Sequence, residues 1–204
     1  MSTATIRVGG RWLSAAVLCA CALAGAFWLV AQARASTVRG LSLEELTHKA
    51  DLIVVGVAEE SQSRRHIDGK LIVTDVSLRV EQVLKGKAKV HDTVVVTLLG
   101  GTLDGIGLSV PGEASLPQGK QALVFLQHAP RSHDLRIVGM AQGALPMQAQ
   151  GGTLMVLPPD GTGGLVERGS DGALHPAPAA LLQPEPAVSM LDRVRKLVAA
   201  GSTK

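Results

Sequence analysis

The sequence predicts a mainly β fold: a small OB-like antiparallel barrel or sandwich, with a short N-terminal helix and a C-terminal amphipathic helix. Short β-branched and aliphatic runs recur through the middle of the chain, and turn residues such as Asp68-Gly69 separate them. The clearest run, from Val76 to Val80, alternates apolar and polar residues as a half-buried strand does. Five or so antiparallel strands within about 100 residues fit a small barrel or sandwich.

Residues 1–35 are predicted to be a signal peptide. Arg7 and Arg11 supply a positive start, and an almost continuous apolar stretch without charge follows. The stretch ends in Ala33-Arg34-Ala35, a small-x-small triplet of the kind that signal peptidase cuts after. We therefore expect an exported protein, periplasmic or extracellular, whose mature chain begins at Ser36.

Two other interpretations of this leader stay open. Residues 12–31 are as long as a membrane-spanning helix, so an uncleaved leader would anchor the protein to a membrane. Leu18-Cys19-Ala20-Cys21 partly fits a lipoprotein signal with Cys21 as the lipidated residue, although the apolar run continues past it.

Composition narrows the function classes once the leader is set apart. Three of the 20 Lys and Arg lie in residues 1–35 and none of the 17 Asp and Glu does, so the remaining chain has 17 of each. A net charge of zero supplies no general attraction to nucleic acid or anionic lipid. Phe125 is the only aromatic residue after the leader, whereas single-stranded nucleic-acid sites stack bases on several. We expect no nucleic-acid partner, and membrane contact only if the leader is retained.

Both cysteines, Cys19 and Cys21, lie in the leader. The mature chain can therefore form no internal disulfide, no thiolate nucleophile and no cysteine-based zinc site. Its core must be built from aliphatic side chains.

The elements of the predicted β domain, residues 36–157, follow from local patterns. Ser42-Leu43-Glu44-Glu45 is a capping box and predicts a helix over 43–49. At Gln82-Val83-Leu84 the alternation of the long second strand changes phase, which predicts a bulge. The other predicted strands cover residues 51–58 with an outward continuation to 65, 93–99, 121–127 and 135–140, with extended pieces near 108–110, 145–148 and 154–157.

The C-terminal part has a different character. Residues 158–186 are rich in Pro and Gly, which predicts a linker or loosely packed extension. Within residues 187–204, Val188, Leu191, Val194 and Leu197 or Val198 recur at helical spacing, and we expect this helix to dock against the β domain.

The order of these elements resembles one family. A helix precedes Ala50-Asp51-Leu52-Ile53-Val54-Val55-Gly56, a long strand ends in Val80-Glu81-Gln82-Val83-Leu84-Lys85-Gly86, and a glycine turn precedes Gln121-Ala122-Leu123-Val124-Phe125-Leu126. Over roughly residues 41–148 this resembles the OB-like barrel of tissue inhibitors of metalloproteinases and netrin-type modules. Those inhibitors chelate the protease zinc through an N-terminal cysteine, and this mature chain has none. The resemblance therefore implies a fold class and a tendency to bind or inhibit another exported protein, and no functional residue carries over.

The sequence contains no strong motif for catalysis or metal binding. His128 and His133 flank a loop and would meet a third ligand, His91 or an Asp, only if the fold brings them together, while solvated histidines are the simpler reading. No His-Glu-x-x-His or Gly-x-Ser-x-Gly motif occurs. The acidic pairs Glu44-Glu45 and Glu59-Glu60 fit a helix start and a strand end. Residues 100–107 form a glycine-rich segment without the Lys of a phosphate loop, so we expect a flexible connection.

These observations favour an exported, non-enzymatic binding module with no cofactor or metal, whose partner is an exported protein and whose first candidate class is a protease. Residues 100–107 and the turn at Asp68-Gly69 are the predicted contact regions. Two alternatives remain: a structural protein of the envelope held by an uncleaved leader, and an enzyme whose site leaves no local motif.

Overall fold

The computed structural model describes residues 38–130, 132, 134–159, 165–168, 173–176 and 183–201, and the predicted signal peptide lies outside them. The described elements, in chain order, are β1 (Val38–Arg39), α1 (Leu43–Lys49), β2 (Leu52–Arg65), β3 (Ile72–Lys85), β4 (Thr93–Leu99), β5 (Gly101–Leu103), β6 (Ile106–Leu108), β7 (Gln121–His128), β8 (Leu135–Ile137), a 3-10 turn (Met140–Gly143), β9 (Ala144–Gln150), β10 (Thr153–Val156), β11 (Leu165–Arg168), β12 (Leu174–Pro176), β13 (Glu185–Pro186) and α2 (Ala187–Gly201).

The predicted capping box begins α1. The Ser42 side chain accepts a hydrogen bond from the Glu45 amide, and the Glu45 carboxylate accepts one from the Ser42 amide at 3.0 Å. Both interactions satisfy backbone donors that a helix start leaves without partners. At the other end of α1, the ammonium of Lys85 donates to the carbonyl of Thr47 at 2.8 Å, which ties the helix to β3.

The main sheet is ring-like. Its order is β13-β10-β9-β7-β2-β3-β4-β8, and β8 also pairs with β7, so the five strands from β7 to β8 close on themselves. The mainly β fold with its two helices is confirmed. The closure differs from a barrel, because β8 meets β4 through one parallel residue pair, Val96 and Leu135.

The bulge predicted near Gln82-Val83-Leu84 is confirmed, and the pairing of β2 with β3 shifts at two further points. Ile53 lies opposite Lys85 and Val54 lies opposite Val83, so Leu84 is the extra residue. Each such insertion bends the strand and increases its twist. The bends allow the 14-residue strands β2 and β3 to curve around the ring and then run on beyond it.

Two apolar clusters use opposite faces of β2 and β7. One fills the interior of the ring and includes Val54 and Val124, and the other lies under the helices and includes Ile53 and Phe125. Because both faces are covered, these two strands are apolar at successive positions. By contrast, β3 buries the alternating residues Val76, Leu78 and Val80 within the ring, and its opposite face carries polar groups.

The C-terminal helix is confirmed and packs on the second of these clusters. Ala187, Met190, Leu191 and Val194 are its buried residues. The predicted apolar stripe was wrong at its first position, since the side chain of Val188 is 72% exposed. Ala187 takes the buried place because β13 leads directly into the helix and turns its first residue inward.

The predicted linker contains short strands. Within residues 158–186, β11 pairs antiparallel with β12 and parallel with β1, and β13 adds to β10 at the end of the large sheet. The hydrogen-bonding potential of this Pro- and Gly-rich stretch is therefore partly met by backbone pairing. In the part of the chain that the structure describes, no helix is long and apolar enough to cross a membrane.

Candidate functional site

Two β-turns lie at one end of the ring, where β2 ends and β3 begins. The first joins these strands: His66 donates its backbone amide to Leu71, and Gly69 donates to His66, each at 2.8 Å. Asp68 accepts the amide of Lys70 at 3.0 Å, which fixes the tip of the turn. The Asp-Gly signal in the sequence therefore placed this hairpin correctly.

The second turn belongs to a hairpin that the sequence analysis missed. Residues 100–107 were expected to be a flexible loop, but β5 and β6 pair through Gly101 and Leu108, and Asp104-Gly105 forms the turn. Asp104 and Gly105 have φ values of 50° and 77°, which is the geometry that favours an Asp-Gly pair in a two-residue hairpin. The Asp104-Gly105 dipeptide could therefore have predicted this hairpin from the sequence.

The second hairpin packs against the first. Because Val73 of β3 lies opposite Leu99 of β4, the residues after Leu99 emerge beside the first turn. The hydroxyl of Thr74 donates to the carbonyl of Gly100 at 2.8 Å and lies 3.1 Å from the hydroxyl of Ser63. A Cβ atom at Gly101 would lie 2.2 Å from the Thr74 hydroxyl, so only glycine fits there. The structure thus brings together the two regions that the sequence singled out.

This end of the molecule carries exposed apolar side chains. Ile67 at the first turn is 84% exposed, and Leu71 on the same turn is 39% exposed. Ile106, directly after the second turn, is 58% exposed. We call these three residues with the two turns the hairpin surface. Single exposed apolar residues are ordinary, but a group of them on ordered turns is typical of a surface that contacts another protein.

A polar network supports the base of the hairpin surface. The guanidinium of Arg64 donates to Asp75 at 2.6 and 3.1 Å and to Asp134 at 3.2 Å, so it joins β2 to β3 and to the residue before β8. Thr97 of β4 also donates its hydroxyl to Asp75, at 2.8 Å. His66 extends the network from the first turn, with its Nε2 atom 3.6 Å from Asp134. Through Thr97 and Asp134, the network links β4 to the start of β8 and so stabilises the short contact between these two strands.

The charges of this network favour its ionised form. The hydrogen bond with Asp75 is the main reason that the pKa of Arg64 is raised. Burial acts to raise the pKa of Asp134, but the hydrogen bond from Ser132 and the charge of Arg64 outweigh it and hold this pKa below its usual value. At the exposed tip, the amide of Lys70 lowers the pKa of Asp68. Asp134 and Asp68 are therefore both ionised at neutral pH.

Two of the histidines considered as metal ligands, His91 and His128, take no part in this network. His128 binds Asp51, with 3.1 Å between its Nδ1 atom and the carboxylate, and this bond contributes to the lowered pKa of Asp51 after the backbone amide of His128 itself. His91 is exposed on the connection between β3 and β4, and His133 lies outside the described residues. Among the residues that the structure describes, no group of three or more His, Cys, Asp or Glu side chains could hold a metal ion.

One acidic pair occupies the position that the sequence indicated, a helix start, whereas Glu59 and Glu60 lie in the middle of β2 and not at a strand end. Glu44 and Glu45 lie in the first turn of α1. Glu59 and Glu60 lie along β2, where Glu59 receives the guanidinium of Arg79 at 2.8 Å. The same guanidinium lies 3.2 Å from Glu81, so Glu59 belongs to an ion-pair cluster on the surface of the sheet.

A groove of about 510 Å³ opens between the turn before β7 and strand β9. Leu116, Pro146, Met147, Leu154 and Leu157 line it with several smaller residues, and Lys120 is its one charged side chain. The groove thus offers apolar contact without a pair of titratable groups that could exchange protons.

A comparison with models of known protein families finds no match, and a search of curated proteins finds none either.

Proposed function

We propose that this chain is an exported, non-enzymatic binding module that contacts a partner protein through the hairpin surface. The observation that carries the proposal is the exposure of Ile67 and Ile106 on two ordered turns that β5 holds side by side. Burying such aliphatic side chains in a partner removes apolar area from water at about 25 cal/mol per Å². Ordered turns also lose less conformational freedom on binding than a flexible loop would.

The polar groups beneath the surface support a binding role over a catalytic one. Ser132 donates its hydroxyl to Asp134 at 2.7 Å, and His66 also approaches that carboxylate. A serine nucleophile needs its hydroxyl bonded to a base, with the carboxylate on the far side of that base. Here the carboxylate lies between the other two groups, so the arrangement fixes a loop instead of activating an oxygen.

An exported protease is the partner class to test first, because the order of elements resembles that of metalloproteinase inhibitors. Without a cysteine after the leader, binding would have to use side chains of the hairpin surface and not a thiolate on the protease metal. Export itself is part of the proposal, and N-terminal sequencing tests it: a soluble product that begins at Ser36 supports cleavage, while a membrane-bound full-length chain favours the envelope-anchored alternative.

The direct experiment captures partners with tagged residues 36–204 from the native extracytoplasmic fraction and identifies them by mass spectrometry. We expect a specific partner that is lost when Ile67→Ser and Ile106→Ser are combined. Val188→Ser is the matched control, because it removes an equally exposed aliphatic side chain from α2. If the partner is a protease, its inhibition is assayed with the same three proteins. Capture that is unchanged by the double substitution would contradict a role for the hairpin surface.

A further inference from the structure

Strand β2 has an open edge along its second half. Residues 52–57 of β2 pair with β7, and the next residue, Ala58, exchanges hydrogen bonds with Lys120 and Gly119 at 3.1 and 2.7 Å. From residue 60 to residue 65, β2 pairs with β3 on one side, and Glu59 is the extra residue at a shift in this pairing. No described strand pairs with residues 59–65 on the other side. Glu60, Ser61, Gln62 and Arg65 are exposed there. The edge is therefore seven residues long, bounded by the 119–120 turn and by the hairpin turn.

The direction of the backbone groups along this edge follows from neighbouring bonds. The carbonyl of Ile72 accepts the amide of Gly100 at 2.8 Å, so the backbone amide and carbonyl of Ile72 point toward β4. Arg65 lies opposite Ile72, and its backbone amide and carbonyl therefore point toward the open edge. Hydrogen-bonded and non-bonded residue pairs alternate along an antiparallel pair of strands. Ser63 and Ser61 therefore also direct their amide and carbonyl groups to the open edge, while Gln62 directs its groups to β3.

The charges along this edge are complementary to those of the same segment running in the opposite direction. The segment reads Glu59-Glu60-Ser61-Gln62-Ser63-Arg64-Arg65, acidic at one end and basic at the other, with Gln62 in the middle. A second copy placed antiparallel about Gln62 would set the acidic end of each strand against the basic end of the other. Cross-strand pairs of opposite charge stabilise a sheet, and like charges destabilise it.

We propose that two copies of this chain associate through these edges, with a two-fold axis at Gln62. Ser61 of each copy pairs with Ser63 of the other and exchanges two backbone hydrogen bonds, so the interface contains four. Glu60 of each copy lies opposite Arg64 of the other on the outer face of the sheet. Gln62 lies opposite its own symmetry mate. The midpoint of the open edge and the midpoint of the charge pattern coincide at this residue, so the same register satisfies both constraints.

The charged side chains of the edge are accessible for ion pairs with a second copy. Glu60 and Arg65 form no ion pair among the described residues, and the guanidinium of Arg64 remains 39% exposed while bound to Asp75 and Asp134. Charged residues on an edge strand often prevent association. Here they would prevent parallel or shifted pairing and favour one antiparallel register, which is the use of charge that gives specificity. An interface this small is weak, with a dissociation constant on the order of 10–100 μM.

A proline substitution tests the backbone bonds. Ser61→Pro removes an amide that faces the open edge and takes no part in pairing with β3, a position where proline is tolerated in a strand. Sedimentation equilibrium on residues 36–204, which include both apolar clusters, should show a monomer–dimer equilibrium whose dissociation constant rises at least about tenfold in Ser61→Pro. Ser61→Ala is the control and should dimerise as the unsubstituted chain does.

A charge reversal tests the register. Glu60→Arg places two like charges opposite each other at both ends of the interface and should abolish dimers. Glu44→Arg makes the same change of net charge on the exposed side of α1 and should leave the equilibrium unchanged. Equal effects of the two substitutions would show a net-charge effect and overturn the proposed register.

An engineered disulfide tests the axis itself. Residues 36–204 contain no cysteine, so Gln62→Cys supplies a single thiol. Opposite residues of a non-bonded pair have Cα atoms about 4.5 Å apart, within reach of a disulfide, and Gln62→Cys should form covalent dimers on mild oxidation. Glu60→Cys lies on the same face, about 13 Å from its symmetry mate in this register, and should not. A chain that stays monomeric at about 1 mM, or that cross-links equally at both positions, overturns the inference. These variants leave the hairpin surface intact, so this test is independent of the proposed function.

Discussion

Gly56 shows how one residue permits the bend of the two long strands. It lies beside a shift in pairing between β2 and β3, and a Cβ atom there would be 2.8 Å from both the carbonyl oxygen of Arg79 and the side chain of Leu78. One of these atoms is backbone and the other belongs to a fully buried residue. Neither can move away cheaply, so glycine is required by close approach and not by an unusual φ.

We therefore expect Gly56→Ala to lower the free energy of unfolding by about 1–3 kcal/mol, the usual cost of overpacking a core. Gly107→Ala is the control, because its nearest neighbouring atom is 3.9 Å away. It should change stability by less than about 0.5 kcal/mol. Urea denaturation followed by far-UV circular dichroism measures both. Equal effects would show that backbone entropy, and not the contact at Gly56, sets the cost.

Asp134 links stability to pH at the residue scale. Its pKa is lowered in the folded protein, since the Ser132 hydroxyl and Arg64 outweigh the effect of burial. A carboxyl with a lowered folded pKa contributes stability above its unfolded pKa of about 4 and loses it as the pH falls through the folded pKa. Asp134 thus stabilises the fold at neutral pH and not in acid.

Asp134→Asn should lower the free energy of unfolding at pH 7 by about 1.5–3 kcal/mol, the usual range for a hydrogen bond to a charged group. The difference from the unsubstituted chain should shrink as the pH falls below about 4, because Asp134 is then protonated in the unfolded chain while it is still ionised in the folded protein. The difference is lost once the pH falls through the lowered folded pKa. Denaturation midpoints from pH 7 to pH 3 measure this. Asp104→Asn, on the exposed second turn, is the control. A deficit that stays constant over this range would contradict the electrostatic explanation.

At the scale of elements, α2 is positioned by one face. Val194 is fully buried between the helix and the sheet, whereas Val188 on the same helix is 72% exposed. The helix therefore contributes to stability through the residues that cover Ile53 and Phe125.

Val194→Ala should destabilise the fold by about 1.5–3 kcal/mol through lost burial and a residual cavity. Val188→Ala should be nearly neutral, because the removed methyl groups are in water in both states. Thermal unfolding by circular dichroism distinguishes the two. Similar midpoints for both variants would mean that α2 does not belong to the cooperative unit.

At the scale of the whole molecule, the two apolar clusters share the strands that separate them. Val54 and Val124 face the ring, while their neighbours Ile53 and Phe125 face the helices. A strand whose residues alternate between two clusters cannot unfold for one and stay folded for the other. The clusters are therefore expected to form one cooperative unit.

Substitution in either cluster should consequently shift the same transition. Leu78→Ala in the ring and Val194→Ala under the helix should each move one unfolding transition, observed by circular dichroism and by hydrogen exchange of β2 amides. Leu78→Ala should cost more, about 2–5 kcal/mol, because more buried volume is lost. Two separable transitions would show instead that the helices and the ring unfold independently.

Local patterns predicted most elements of the fold because local chemistry specifies them. The Ser42 capping box, the Asp68-Gly69 turn and the bulge near Leu84 each depend on residues close in sequence. The missed hairpin at 100–107 also had a local signal in Asp104-Gly105, which the abundance of glycine obscured.

The candidate site was predicted only in its parts. The two turns were named from their composition, but the contact of Gly101 with Ser63 and Thr74 was not, since it joins residues far apart in the chain. Arg64 and Asp134 are 70 positions apart, and no local pattern relates them. Long-range pairs of this kind depend on how the strands are ordered around the ring.

The sequence alone was enough to indicate the aliphatic core, the absence of cysteine from residues 36–204, the equal numbers of acidic and basic residues there, and the positions of the two helices and of the longer strands. The tertiary structure alone decided that the sheet becomes a ring closed by one short strand, that two turns form one surface, and that half of β2 keeps an open edge. These two groups of features differ because they depend on interactions over different distances along the chain. Propensity, capping and turn geometry act over a few residues, whereas closure and exposure depend on which distant strands find each other.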